Sequence, residues 1–445
     1  MHVIKKMKWE KKMQLKISNV AKIKEAVINI DGITVIAGEN NTGKSTIGKL
    51  LFAIFNSMNN MSGKIEQEKR NEIYQILNLL IQNYIMQKGI TQTESRSRNM
   101  YISKKLTEKL TDKIMEILQN ENDGHTEEYV SNAVIDSELF KDTEDTEDFI
   151  NECILKLKTI VNISDKKVMT EVITRWFNRV FENQISPLIE DDIKSKINLT
   201  IKNKELEFIF QDNSCIDWNS EINILHQAFY IDNPFIVDYM SDRYIRNNVK
   251  TTDTHLLKHL CKQEDIFDGI FDTVVVKDKL NEIYNMLGQL IEGEIIGNQD
   301  GEYYLKSSQY TKPLNIKNLS TGLKSFALIK RLLENGSLKE KDILILDEPE
   351  IHLHPEWQLA YAELIVLLQK EFDLTMIITT HSPYFLDAID VFSAKYEMSN
   401  RVNYYLAENE GVTSYMRNVT NNIDAIYKKL SDPMQKLENI RNELM

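Results

Sequence analysis

Two short stretches of this chain hold residue types that do chemistry together. Gly38–Ser45, GENNTGKS, is a glycine-bounded loop that ends in a lysine and a hydroxyl. Asp342–Pro349, DILILDEP, is a run of four apolar residues that ends in two adjacent carboxylates. The N–H groups of such a loop can wrap phosphates, and the positive end of a following helix adds to the attraction. Lys44 would then reach the β and γ phosphates and the Ser45 hydroxyl would bind Mg2+. Asp347 leaves its strand where that ion should sit. Glu348 beside it suits a base that polarises an attacking water. The loop residues expected to hold a nucleoside triphosphate, ATP, are Gly38, Glu39, Asn40, Asn41, Thr42, Gly43, Lys44, Ser45 and Thr46.

Those residues need elements to hold them. Residues 14–20 and 24–31 alternate apolar and polar, as half-buried antiparallel strands do, and 33–37 is an apolar run feeding the loop. The pattern after Ser45 is helical, so the order is strand, loop, helix, the context the Walker A pattern requires. Further on, Ile343–Leu346 and Met376–Thr380 are apolar strands alternating with helices at Thr321–Asn335 and Pro355–Phe372. Such continuous apolar strands indicate a parallel sheet covered on both faces. Thr379-Thr380-His381 closes the second of them, and a histidine 33 residues beyond Glu348 can donate to a γ-phosphate or to the lytic water. Leu319–Ser325, LSTGLKS, opens a helix and makes a second phosphate-binding end. Two such ends would crowd one triphosphate, so it is expected to serve a different nucleotide from the Gly38 loop.

In this order, a Walker A loop, an LSGGQ-like segment, LDEP and a switch histidine resemble the ABC ATPase superfamily. The resemblance covers about 45 residues at the N-terminus and about 90 near the C-terminus. It implies that Ser320 and Gly322 of one subunit cap the ATP held by another, so that the active unit is a homodimer, or a higher even oligomer, around two nucleotides. Thr321 and Leu323 replace the family's Gly and Gln, and His354 stands where the second Asp of LDEP-x-x-x-L-D would be. These departures resemble the branch with RecF, the SMC heads and the OLD ATPases; EPEIHLHPEWQ and THSPYFLD are phrased as in the OLD-like group. Gln75, Gln82 and Gln211 all remain open as the family's Q-loop glutamine.

The expected fold class is therefore α/β, an ABC-type ATPase head: a mixed sheet with a P-loop core, an antiparallel β part and a large helical insertion. The expected divisions are 1–61 with the Walker A loop, a helical insertion over 62–195, a β-hairpin and strand over 196–240, a helical segment over 241–300, the second part of the head over 301–420, and a helical tail over 421–445. No heptad persists long enough for a coiled-coil arm. Across 445 residues, 42% hydrophobic and 27% charged is ordinary globular composition. Three widely spaced cysteines without a C-x-x-C pair argue against a disulfide framework or a zinc site. No apolar run is long enough to span a membrane, and the basic N-terminus lacks the apolar core of a signal peptide. The expected location is cytoplasmic.

A net charge of −13 disfavours a surface coated for non-specific DNA binding. Twelve acidic residues against one lysine lie between Glu121 and Glu152, and small basic patches occur at Arg96, Arg98, Lys104, Lys105 and at Arg243, Arg246, Lys250. DNA contact stays open on those patches, and the insertion is the expected partner-recognition region. His255 and His259 sit four apart on a helix without the Glu of a metalloprotease frame, which reads as an ordinary helix face. A transport ATPase is disfavoured because Lys44 and Ser320 are 276 residues apart around a helical insert. An OLD nuclease is disfavoured because the 64 residues after His381 show no acidic strand ends suited to two-metal chemistry. The insert and tail resemble ATPase subunits of bacterial antiphage systems, of the Septu type that partners an HNH nuclease. An ATPase controlling a separate effector, probed against a RecF-like DNA-maintenance role and against an ATP-ordered scaffold, is the function this resemblance implies.

Overall fold

The computed structural model describes residues 13–87, 96–120, 126–135, 147–188, 192–242, 249–262, 281–298 and 300–444. The basic N-terminus, Arg243, Arg246, and the 121–125 and 136–146 parts of the acidic segment lie outside them.

The chain forms two compact units, one from the segments up to Asn59 and from Ile173 on, the other from Asn60–Val172. The smaller unit is helical: α2 (Met61–Gln87), α3 (Arg96–Asn120), α4 (Thr126–Ile135), α5 (Glu147–Val161) and the start of α6 (Asp165–Phe181). Its own core gathers Ile73, Leu77, Leu110, Ile114, Val134 and Leu157. These recur at helical spacing, so each helix buries one stripe.

The larger unit is built on an eleven-stranded sheet of order β6-β5-β4-β1-β2-β14-β13-β3-β12-β11-β7. Its antiparallel half joins β1 (Met13–Val20), β2 (Ile23–Ile30), β4 (Ser195–Ile201), β5 (Lys204–Gln211) and β6 (Ser214–Ser220). The hairpin β4–β5 turns at Lys202 and Asn203, both with positive φ. In the other half β3 (Ile33–Gly38), β7 (Ala228–Ile231), β11 (Ile343–Asp347), β12 (Thr375–Thr380) and β13 (Val402–Glu410) run parallel. The hairpin from β13 to β14 (Thr413–Asn418) leads back to the first half through β2. This is an α/β fold on a mixed sheet, one half antiparallel and the other parallel, with the helical unit inserted in the chain between α1 and β4.

The parallel register fixes where the site lies. Val35, Ile378, Leu346 and Ile231 form one row across four strands, and the next positions bring Ile36, Thr379 and Asp347 level. The strand ends that carry Gly38, His381, Glu348 and Asp232 therefore open on one edge, where open α/β sheets bind ligands.

Both faces of these strands are covered, which is why nearly all their residues are buried and most are apolar. Val35, Leu344, Leu346, Met376 and Ile378 pack with α9 (Thr321–Glu334), α10 (Pro355–Phe372) and α11 (Pro383–Lys395). On the opposite face α1 (Lys44–Met58) buries twelve of its fifteen residues, too many for one stripe. It is enclosed on its other side as well: Phe52 meets Tyr230, Trp176 of α6 and His255 of α7 (Thr251–Leu260). His255 and His259 thus pack in an aromatic cluster with Phe52 and Phe229, and burial pulls His259 down to about 4, so it is neutral there. Trp176 serves helix packing.

The remaining part of this unit comprises α8 (281–290) and a three-stranded antiparallel sheet of β8 (Glu294–Gly297), β9 (Tyr303–Lys306) and β10 (Leu314–Asn315). Buried cations of α9 tie it down together with the end of α7: Lys330 donates to Ile291 O at 2.9 Å, and Arg331 to Ile295 O at 3.4 Å, Leu260 O at 3.1 Å and Lys262 O at 3.0 Å. The last helix, α12 (Asp424–Glu443), anchors on α11 and β3 through Ile426.

The close seating of α1 depends on Gly48. A Cβ there would stand 2.7 Å from Ile345 Cγ2 and 3.1 Å from Tyr230 Cε2. Gly48→Leu should overpack this contact and destabilise the larger unit by about 1–3 kcal/mol. The check is a lower chemical-denaturation midpoint; an unchanged midpoint would mean that α1 is not seated as described.

Candidate functional site

The loop after β3 turns sharply because small residues allow it. A Cβ on Gly38 would lie 2.4 Å from Ala407 O of the neighbouring strand, and Gly43 has φ 81 with Ile23 Cγ1 3.0 Å from its Cβ position. Thr42 Oγ1 donates to Glu39 O at 2.8 Å, and Lys22 Nζ holds Asn41 O at 2.7 Å from the β1–β2 turn. Asn41 itself is left-handed, at φ 59. Glu39, Asn40 and Asn41 are exposed and Thr46 is half-buried. Gly43 is the N-cap of α1, offers no side-chain acceptor, and no acidic residue follows in the first turn. The helix end is thus left for an anion.

Lys44 is buried and folds back over the loop, donating to Gly38 O at 3.0 Å and Glu39 O at 2.8 Å. Its Nζ lies 3.7 Å from Glu348 Oε1. Burial lowers its pKa, against the raising effect of Glu348, Asp347 and Glu350.

Asp347 ends β11 and accepts from three sides. Ser45 Oγ donates to Oδ1 at 3.0 Å, Tyr230 OH to Oδ2 at 2.5 Å, and the Thr379 hydroxyl also to Oδ1. Burial first, then the Asp347 carboxylate, pushes the Tyr230 phenol well above its usual value, so it stays a donor. A hydroxyl and a carboxylate side by side, next to a phosphate cradle, fit Mg2+, which takes one or two protein oxygens and completes its shell with water and phosphate. Among the described residues no cluster of three or more His, Cys, Asp or Glu could hold a metal by itself.

Glu348 adopts φ 51, a left-handed conformation that costs a non-glycine residue about 1 kcal/mol or more. Its N–H is pinned to Thr379 O and Thr379 Oγ1, each at 3.1 Å. This turn carries its carboxylate toward Lys44 and to 3.5 Å from His381 Nδ1. His381 is exposed, and its N–H donates to Glu350 Oε1 at 3.2 Å.

Ser320 and Gly322 stand apart from this group. Ser320 is exposed at the N-cap of α9 and makes no side-chain cap, while Gly322 is packed so closely that a Cβ would meet the Trp357 ring at 2.4 Å. Among the described residues no hydrogen bond or ion pair links either to Gly38–Ser45. Lys324, one turn on, is buried against Asp238 of the 3-10 helix Pro234–Ser241 at 2.7 Å.

Sequence reasoning missed Tyr230, Glu350 and Asp232. Tyr230 lies in a four-residue strand and carries no motif of its own; only the pairing of that strand beside β11 brings its hydroxyl to Asp347, while Asp232, just past the strand end, pairs with Lys250. Of the three glutamines considered, Gln211 ends β5, six strands from β3 in the sheet order, and Gln75 and Gln82 lie on α2.

Fold and site together define a P-loop nucleotide-binding protein with an ATPase head. Residues 33–387 match the family model described as "AAA domain, putative AbiEii toxin, Type IV TA system", and the chain belongs to that family. It is 34% identical over 107 residues to the Septu protein PtuA of Bacillus thuringiensis, a stretch covering 21% of this chain. The match spans about a quarter, 24%, of that relative's length. Solved structures with similarity include the SMC head bound to the C-winged helix domain of ScpA, at 11% identity and TM-score 0.42, covering 91% of this chain and 96% of that one. The SMC head domain from Thermotoga maritima matches at 10% identity and TM-score 0.39, covering 92% and 99%. Among the described residues no helix is long and apolar enough to cross a membrane.

The bond from Tyr230 to Asp347 joins β7 to the site. Its loss leaves a half-buried carboxylate oxygen short of a donor, at a cost of about 1–3 kcal/mol. Tyr230→Phe should lower the denaturation midpoint of the nucleotide-free protein. In a cycle with Asp347→Asn the two changes should be non-additive; strict additivity would mean that the bond contributes nothing.

Proposed function

We propose that this chain binds ATP with Mg2+ and hydrolyses it, working as a dimer around two nucleotides to control a separate effector, a nuclease, in bacterial antiphage defence. The observation that carries the ATPase part is the convergence of Lys44, Ser45, Asp347, Glu348 and His381 at one edge of the sheet. ATP would bring the phosphoanhydride to be cleaved, and Mg2+ would supply positive charge to neutralise its phosphates. The α1 N-terminus and Lys44 would hold the phosphates, with Ser45 and Asp347 as the protein's ligands to the ion. Lys44 now spends its charge on loop carbonyls and Glu348, contacts that a phosphate chain would replace. Glu348 is the base for the attacking water. His381, with Nδ1 turned to Glu348, is the donor that stabilises charge on the transferring group.

The dimer reading is supported by α9. Its N-terminus has no side-chain cap, Ser320 is exposed, and among the described residues no hydrogen bond or ion pair ties it to the phosphate loop of its own chain. Large apolar residues also lie exposed beside the catalytic strand ends, Ile351 at 54% and Tyr384 at 66%. A second copy would cover them and cap the nucleotide with Ser320 and Gly322. The defence reading is supported by the similarity to the Septu protein, and the HNH nuclease follows from the Septu-type resemblance. A DNA-maintenance ATPase would instead show turnover stimulated by DNA. A scaffold would assemble on nucleotide without turnover.

Three measurements test this. Glu348→Gln should keep nucleotide binding and lose about 10²–10⁴-fold of turnover, because only water activation is removed; wild-type turnover would take Glu348 out of the base role. Lys44→Ala should weaken ATP binding by about tenfold or more, since a charge-assisted bond is worth about 1.5–3 kcal/mol; unchanged affinity would contradict the loop assignment. For the shared site, subunits with Lys44→Ala mixed with subunits with Ser320→Arg should regain part of the turnover that each lacks alone. Failure to recover activity in a demonstrated mixed dimer would remove the two-subunit site.

A further inference from the structure

We propose that Glu350 is the positioning residue of this site, holding the end of β12 so that His381 meets Glu348; the proposal rests on the ATPase reading above. Glu350 lies two residues beyond the base, and its side chain turns inward, only 2% exposed. Oε1 accepts from the Thr380 hydroxyl at 2.5 Å and from the His381 N–H at 3.2 Å, and it lies 4.0 Å from His381 Nδ1. The imidazole Nδ1 is thereby flanked by two carboxylates, Glu348 at 3.5 Å and Glu350 at 4.0 Å.

The other oxygen marks this residue as more than packing. Oε2 is buried with no hydrogen-bond partner. Leaving such a group unsatisfied destabilises the fold, and a residue kept in spite of that calls for an explanation beyond stability. Burial also raises the Glu350 pKa, opposed by the bonds from Thr380, from its own main-chain N–H and from the His381 N–H, and by the His381 ring. A neutral acceptor oxygen can take the same two bonds, from the Thr380 hydroxyl and the His381 N–H. What it supplies is placement. One carboxyl oxygen fixes two successive groups of the strand end, the Thr380 side chain and the His381 main chain, and a misplacement of about 1 Å at a reacting group can cost about a hundredfold in rate.

The role separates from plain structure by four readouts on the full chain. Glu350→Ala should lower kcat by about tenfold to a hundredfold while the ATP dissociation constant changes less than about twofold. Glu350→Gln, which keeps an acceptor oxygen, should retain most of the turnover. The double variant with His381→Ala should be no slower than His381→Ala alone, because both act through one group. In 15N-histidine spectra, with the His381 signals identified by their loss in His381→Ala, Glu350→Ala should shift those signals and Glu350→Gln should leave them in place. If the Ala variant does not fold, Thr380→Val removes one donor to Oε1 and should shift them in the same way. Multiplicative rate losses in the double variant, or His381 signals unmoved by Glu350→Ala or Thr380→Val, would overturn the proposal. The spectra do not depend on hydrolysis, so a wild-type protein without turnover would refute the ATPase reading and still decide the Glu350–His381 link.

Discussion

The arrangement of the whole nucleotide edge depends on one carboxylate. Asp347 is approached by Ser45 from α1, Tyr230 from β7 and Thr379 from β12. Three elements far apart in the chain are pinned to the end of a fourth. A carboxylate accepts up to about four hydrogen bonds, so it can serve as a hub where an amide or hydroxyl could not. Geometry elsewhere follows from this hub. Thr379 also holds the N–H of Glu348, which keeps the strained turn that aims Glu348 at Lys44 and His381.

The helices around the sheet are packed to keep that hub rigid. α1 sits between the sheet and an aromatic layer, so the phosphate loop at its start is set on a helix that has no room to tilt. On the other face, α9 carries Lys324, Lys330 and Arg331 into the interior, and each finds a carboxylate or main-chain carbonyls. Buried cations of this kind cost stability unless fully paired. They also tie the 3-10 helix Pro234–Ser241, the end of α7 and the residues before β8 to the helix whose N-terminus carries Ser320. That end is the part of the proposed site which its own phosphate loop leaves unused. At the opposite end of the chain, Lys429 of α12 reaches Glu39 of the phosphate loop at 3.3 Å, a half-exposed pair of small energetic weight.

Much of this was legible from local order. GENNTGKS and DILILDEP announce themselves because their chemistry needs neighbours in sequence: a loop flows into a helix, and a strand ends in its own carboxylates. Apolar runs identified β3, β11 and β12, and the alternation of β1 and β2 identified the antiparallel part, because covering one face or two leaves different residue patterns. The parallel core and the helical insertion could be inferred on those grounds. Tyr230 and Glu350 could not. A tyrosine in a short apolar strand and a glutamate after a proline carry no periodicity or spacing that separates them from packing or solvated surface. Their meaning comes from β7 lying beside β11 and from Glu350 turning back under Thr380. Sequence alone determined which residues are proposed to bind phosphate and metal, because those functions would be carried by contiguous main chain and adjacent side chains. Tertiary structure alone decided which residues hold them in place, because a hydrogen bond between residues 117 apart, like that from Tyr230 to Asp347, exists only once the register of the sheet has been set.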